Sequence, residues 1–231
     1  NSNFTKEDKV VDTNKNCVIS NNFLKKNENT VNFYDILSSE ELKFFSNIKN
    51  SSDQFDYLVT IVKNKTSLDY SKYLIHQMII DLIILDPDRH LKNLSVIETN
   101  NEDYRICPIY DNGLGLLATL KHYPLSKSIQ ENINKVTYNP FGIYENKNLT
   151  SNKKLTRNEQ IQLIINKIDE LKENYDINDF KVKINKNKLL NKLNNYSNKL
   201  YKDEYVNRAI ESLKISLNEL ENILWIDIND N

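Results

Sequence analysis

This sequence predicts an α+β fold, mostly α-helical, in which a small β-hairpin packs against a helical bundle. Three observations predict it. Residues 67–85 carry Leu68, Tyr70, Leu74, Ile75, Met78, Ile79, Leu82, Ile83 and Leu85, a helix apolar nearly all round. Residues 94–98 and 104–110 are short alternating runs joined by Thr99-Asn100-Asn101-Glu102-Asp103, a hairpin signature. From Thr156 the chain turns helical, with three amphipathic stripes. They are Ile161, Ile164, Ile165, Ile168 and Leu171; then Leu189, Leu190, Leu193, Tyr196 and Leu200; then Val206, Ile210, Leu213, Leu217, Leu220 and Leu224, ending at Trp225. Three such helices bury their stripes by forming a small bundle on the hairpin layer.

The remaining elements follow in order. Residues 1–15 are polar and aperiodic and read as a tail or irregular edge. Cys17-Val18-Ile19 suits a short strand. Residues 31–49 carry Phe33, Ile36, Leu37, Leu42, Phe44 and Phe45, a helical pattern broken near Ser38-Ser39 and restarting at Ser39. The aromatic stripe Phe33, Tyr34, Phe44 and Phe45 reads as core. Residues 53–63 fit helix or strand, and periodicity leaves both open. The long apolar helix ends at Asp86-Pro87, because the residue before proline is pushed out of the α region. Residues 112–155 are loop-rich and hold all three glycines, Gly113, Gly115 and Gly142.

The 231 residues include 39% hydrophobic and 27% charged residues, polar for a globular chain but within its range. A net charge of -1 gives no global field to steer nucleic acid or an acidic membrane, so direct nucleic-acid binding is not expected. No apolar run reaches a membrane span of about 18 residues. Cys17 and Cys107 have no metal-ligand spacing, and the first residues are polar. The plain expectation is a reduced, cytoplasmic setting.

The chemistry-bearing stretch is Asp88-Arg89-His90-Leu91-Lys92-Asn93, followed by Pro108-Ile109-Tyr110-Asp111-Asn112-Gly113. It offers two carboxylates and a carboxamide in the order a metal-dependent phosphoryl-transfer site needs. Asp88 can face an attacking hydroxyl. Asn93 and Asp111 can ligate a hard cation through oxygen. A hairpin between the last two brings them together in space. The bland alternative is a helix-capping aspartate with a satisfied polar loop. His76 reads as a hydrogen-bonded core residue, His122 as surface, and Cys107 as a buried small hydrophobe.

Asp-x-His-x-x-Asn, a short hairpin, then Pro-x-Tyr-Asp resembles the C-terminal lobe of HipA-like kinases, the bacterial serine/threonine kinases of toxin–antitoxin systems and related effectors. The Asp-Arg-His form also occurs in phosphoinositide 3- and 4-kinases, though Pro108-Ile109-Tyr110-Asp111 favours the HipA side. The resemblance spans residues 68–120 most closely. It implies a protein-kinase-like C-lobe over residues 16–231, with C-terminal helices over 156–225. It implies ATP and Mg²⁺ as cofactors, Asp88 as catalytic base, and Asn93 and Asp111 as metal ligands. His90, Arg89 and Lys92 would brace the loop or contact phosphate. The implied partners are a protein substrate and an antitoxin. No Gly-rich phosphate loop with its lysine is found in the chain, so the expectation is that the N-terminal ATP-binding lobe was cut away or is a separate polypeptide. A lipid kinase and a non-catalytic kinase-like binding module stand as the rival readings.

Overall fold

The computed structural model describes residues 22–99, 103–145, 148–150, 154–197, 203–221, 223–224 and 226–229. The expected tail, the Cys17-Val18-Ile19 strand, Leu200 and Trp225 lie outside the described residues. The fold is α+β and mostly helical, with small sheets.

Strand β1 (Asn29–Asn32) runs straight into a one-turn helix α1 (Phe33–Ile36). Asn32 switches the chain between them, because its side chain accepts the Asp35 N–H at 3.0 Å as an N-cap. Helix α2 (Ser39–Asn47) begins at the expected restart. Ser38 is its cap: the Ser38 hydroxyl and the Glu41 carboxylate each accept the other's backbone N–H. Residues 53–63 resolve as helix, inside α3 (Ser51–Thr66). The core reading of the aromatic stripe holds for Phe33 and Phe45, which are fully buried. Phe44 is 58% exposed and is corrected to a surface residue.

Helix α4 (Ser71–Ile84) is the axis of the core. Leu74, Ile75, Met78, Ile79, Leu82 and Ile83 are all buried, as the all-round apolar pattern requires. It stops at Leu85, which takes a left-handed conformation (φ 56°) and returns its N–H to the Asp81 carbonyl. Pro87 two residues on forbids continuation.

The hairpin forms as expected, from β2 (Ser95–Glu98) and β3 (Tyr104–Ile106), with Val96 opposite Ile106. The second run is shorter than its pattern: β3 ends at Ile106, and Pro108 has no N–H with which to extend the ladder. The sheet has a third strand that the sequence does not announce. β1 pairs antiparallel with β2, Val31 opposite Val96. Arg105 on β3 reaches the segment before β1, donating to the Glu28 carboxylate at 2.6 Å.

Residues 112–155 hold a short helix α5 (Ile129–Ile133) and small strands β4 (Thr137–Tyr138), β5 (Ile143–Glu145), β6 (Asn148–Thr150) and β7 (Leu155–Thr156). Helix α6 (Arg157–Leu171) follows, capped by a reciprocal Thr156–Glu159 box. Then come β8 (Val182–Asn185), α7 (Lys186–Ser197), α8 (Asp203–Glu221) and β9 (Ile226–Asn229). β8 and β9 pair in parallel, which the helical stripes alone do not foretell.

Helices α6 and α8 pack on α4, and α4 in turn meets the sheet. Arg157 and Ser216 both donate to the Leu82 carbonyl, at 2.9 and 2.8 Å, and Gln160 donates to the Met78 carbonyl. At the other end of α4, the Tyr70 hydroxyl donates to the Ser95 carbonyl at 2.9 Å and accepts the Cys107 N–H. The bundle therefore holds α4 in place, and α4 delivers the Asp86–Asn93 loop to the end of the hairpin. Among the described residues no helix is long and apolar enough to cross a membrane.

Candidate active site

The site is built around a buried guanidinium. Arg89 is 1% exposed. Its Nη2 donates to Asp81 Oδ1 at 2.8 Å, to Asp86 Oδ2 at 3.3 Å and to Asn112 Oδ1 at 2.6 Å. Its Nε donates to Asp81 Oδ2 at 3.1 Å. Its Nη1 donates to the Tyr110 carbonyl at 3.0 Å and approaches the Asn93 carbonyl at 3.5 Å. One side chain thus joins α4, the loop after it, and the segment after β3. Of the two roles the resemblance implies for Arg89, this geometry supports bracing, because its donors face inward.

One guanidinium serves two buried carboxylates, so the trio has an excess of acid away from water. Burial pushes the Asp81 carboxyl up to about 6 against the pull of Arg89. Burial raises Asp86 as well, against its bond from the Asp88 N–H and the attraction of Arg89. These two acids belong to the scaffold. Asp88 is half-buried and Asp111 is exposed, so these two acids, unlike Asp81 and Asp86, are open to solvent.

Asp88 is set by an Asx turn in which Asp86 Oδ1 accepts the Asp88 N–H at 3.0 Å. Asn93 closes the same loop. Its Oδ1 accepts the His90 N–H at 2.8 Å, and its Nδ2 donates to the Asp88 carbonyl at 3.1 Å. The three residues Leu91–Asn93 form a single 3-10 turn between them. His90 Nδ1 accepts the Lys92 N–H at 3.2 Å, and burial holds the ring below the usual histidine value. The Leu91 N–H reaches the Gly142 carbonyl at 2.9 Å, fastening the loop to the start of β5. Lys92 is exposed, its ammonium 4.6 Å from the Tyr34 ring centroid.

Tyr110 fixes the second half of the site. Its hydroxyl shares a hydrogen bond with Ser95 Oγ at 2.5 Å and donates to the Lys92 carbonyl at 3.2 Å. The next residue, Asp111, has a left-handed backbone (φ 56°), which aspartate tolerates better than most residues. Asp111 lies five residues past the end of β3 rather than at a strand end, and the Arg89–Tyr110 and Arg89–Asn112 bonds position it.

The candidate donors are all oxygens: the Asp88 and Asp111 carboxylates and the carboxamide of Asn93, whose side chain is buried. That set suits a small hard cation such as Mg²⁺, which is commonly held by one or two carboxylates plus water and phosphate oxygens. Asn93 Oδ1 already accepts one hydrogen bond and retains a second lone pair. Among the described residues no three His, Cys, Asp or Glu side chains cluster as a self-sufficient metal cage.

Asp81, Asp86 and Asn112 are the site residues that motif reading passes over. Asp81 carries a signal, being an acid amid the continuous apolar run of α4, and a buried acid needs a partner. No protein-family model, no curated protein and no solved structure matches this chain.

Proposed function

We propose that Asp88, Asn93 and Asp111 form the phosphoryl-transfer site of a HipA-like catalytic lobe, one that moves the ATP γ-phosphate to a protein Ser or Thr hydroxyl. The observation that carries the reading is the Arg89 hub. It ties the Asp88–Asn93 loop and the Tyr110–Asn112 segment to one buried guanidinium, so the backbones of both motifs of the resemblance are held in one frame. Phosphoryl transfer depends on positioning and charge neutralisation more than on covalent help, and a braced frame of this kind supplies positioning.

In this reading Asp88 orients the attacking hydroxyl and accepts its proton. Asn93 and Asp111 hold Mg²⁺, which neutralises charge on the phosphates. Lys92, exposed beside the loop, is the nearer candidate for a phosphate contact. His90 keeps the loop in shape. A toxin–antitoxin or effector setting, with an antitoxin or a separate N-lobe polypeptide as partner, follows from the same resemblance.

A second reading has a specific observation in its favour. The Asn93 amide is engaged on both sides within its own loop, and the chain holds only three glycines, none before residue 113. A kinase-like binding module without transfer activity would keep the same brace. Mn²⁺ titration by electron paramagnetic resonance, with ATP present, separates the two. Transfer chemistry requires binding that Asp111→Asn weakens by about tenfold or more, the loss of one charged ligand. Equal binding by wild type and variant overturns the metal assignment.

A further inference from the structure

The turn before β1 is held by a second guanidinium clamp, and it ends at the candidate site. Arg105 on β3 donates from Nε to Glu28 Oε1 at 3.0 Å and from Nη2 to Glu28 Oε2 at 2.6 Å. The same Nη2 donates to the Phe23 carbonyl at 2.9 Å. One side chain thus holds both ends of residues 23–28. A planar fork can do this where a lysine ammonium could not match the geometry. Between the two ends the chain folds back on itself. The Glu28 N–H reaches the Lys25 carbonyl at 3.2 Å, and Glu28 Oε2 accepts the Lys25 N–H at 2.6 Å. Asn27 takes a left-handed backbone there (φ 64°), which asparagine tolerates. The bond from Arg105, then that from the Lys25 N–H, holds the Glu28 carboxyl down at about 2.

What this turn touches gives it a role. The Phe23 ring lies 6.3 Å from the Tyr110 ring, centroid to centroid, tilted by 34°, within the range of a favourable aromatic pair. Tyr110 is the residue before Asp111. Arg89 holds its carbonyl, and its hydroxyl bonds to Ser95 Oγ and the Lys92 carbonyl. Phe23 adds a contact on the ring itself. Asp111 follows with its left-handed backbone, a conformation that persists only where the surroundings fix it. Phe23 is 36% exposed and lies outside the hydrophobic core, so its contact with Tyr110 is not a by-product of core packing.

We propose that residues 23–28 are a positioning strap for the candidate site, in which Phe23, clamped by Arg105, acts through Tyr110 on Asp111. Neither Phe23 nor Arg105 touches a reacting atom. The role of Asp111 as metal ligand rests on the phosphoryl-transfer reading; the hold of the strap on Asp111 does not.

Backbone nitrogen relaxation by NMR and Mn²⁺ titration with ATP present, both on the full chain, test it. Phe23→Ala is expected to lower the order parameters of the Asp111 and Asn112 amides from about 0.85 towards about 0.6, with those of α4 unchanged. It is expected to weaken Mn²⁺ binding by about three- to tenfold, the worth of one aromatic pair. Arg105→Met is expected to do the same by releasing the strap from β3. Phe23→Tyr keeps the ring and is expected to behave as wild type. The strap is overturned by order parameters at Asp111 and Asn112 unchanged in both Phe23→Ala and Arg105→Met, by Mn²⁺ binding unchanged in both, or by Phe23→Tyr behaving like Phe23→Ala. A wild type that binds no Mn²⁺ removes the metal role of Asp111, and the order parameters then decide the strap alone.

Discussion

Asp81 and Arg89 form a two-point ion pair inside the protein, 2.8 Å from Nη2 to Oδ1 and 3.1 Å from Nε to Oδ2, with both side chains essentially out of solvent. The pair links the C-terminal end of the core helix to the loop that carries Asp88. Charge this deep is held only by good geometry and by further hydrogen bonds. Arg89 meets that need through Asp86, Asn112 and the Tyr110 carbonyl.

Breaking the pair on one side leaves the other charge buried alone. Arg89→Met is expected to destabilise the protein by about 3–5 kcal/mol, because Asp81 and Asp86 both lose their cation. Urea unfolding measures this. The double variant Asp81→Leu, Arg89→Met is expected to recover part of the loss. A single-variant loss below about 1 kcal/mol, the range of exposed pairs, would mean the hub is not the brace described.

Within the loop, Asn93 carries more of the structural bonding than Asp88. Asn93→Ala removes a partner from both the His90 N–H and the Asp88 carbonyl, and is expected to cost about 1–3 kcal/mol. Asp88→Asn is expected to cost about 1 kcal/mol or less, since the residue is only half-buried and its carboxylate is nearly isosteric with the amide. The reverse order in denaturant midpoints would make Asp88, not Asn93, the structural residue.

Two histidines give a pH dependence of known sign. Burial lowers His76 and His90 below the ordinary value of 6.5. On acidification the unfolded chain takes up these protons first. Their contribution is therefore complete above about 6.5 and is lost as pH falls through the depressed folded values. Asp81 acts oppositely between its ordinary 3.8 and about 6, since its folded carboxyl holds a proton longer. Ring titration by NMR isolates the histidine effect. Midpoints for His76 and His90 below 6.5 are expected, and midpoints at or above it contradict their burial as neutral rings.

Gly115 marks where the loop after Asp111 presses on the core helix. A Cβ there would sit 2.9 Å from the Ile84 carbonyl oxygen, which also accepts the Leu116 N–H. Backbone on backbone cannot yield cheaply, so Gly115→Ala is expected to destabilise by about 1–3 kcal/mol. Gly113→Ala, with open space around it, serves as the control. Equal midpoints for the two variants would place the loop away from α4.

Much of this was legible in the residues. The all-round apolar pattern of residues 67–85 with Pro87 beyond it locates the core helix and the loop at its end. The alternating runs around residues 99–103 locate the hairpin. Pairing across the chain was not legible. Nothing local in Asn29–Asn32 says that it will add a third strand, and the β8–β9 pairing joins segments separated by two helices. Within the site, motif spacing draws attention to Asp88, Asn93 and Asp111. The brace is hidden because Asp81 belongs to the helix and Asn112 to the opposite segment, and only folding brings them to Arg89.

The most direct measurement is transfer of label from γ-labelled Mg-ATP by the native protein, to itself, to protein substrates and to phosphoinositide vesicles, in wild type and Asp88→Asn. The expected result is label on Ser or Thr of protein in the wild type and none in the variant, with unfolding midpoints of the two close together. No transfer by the wild type, label on lipid alone, or full transfer by Asp88→Asn would contradict the assignment of Asp88 as the base of a protein kinase site.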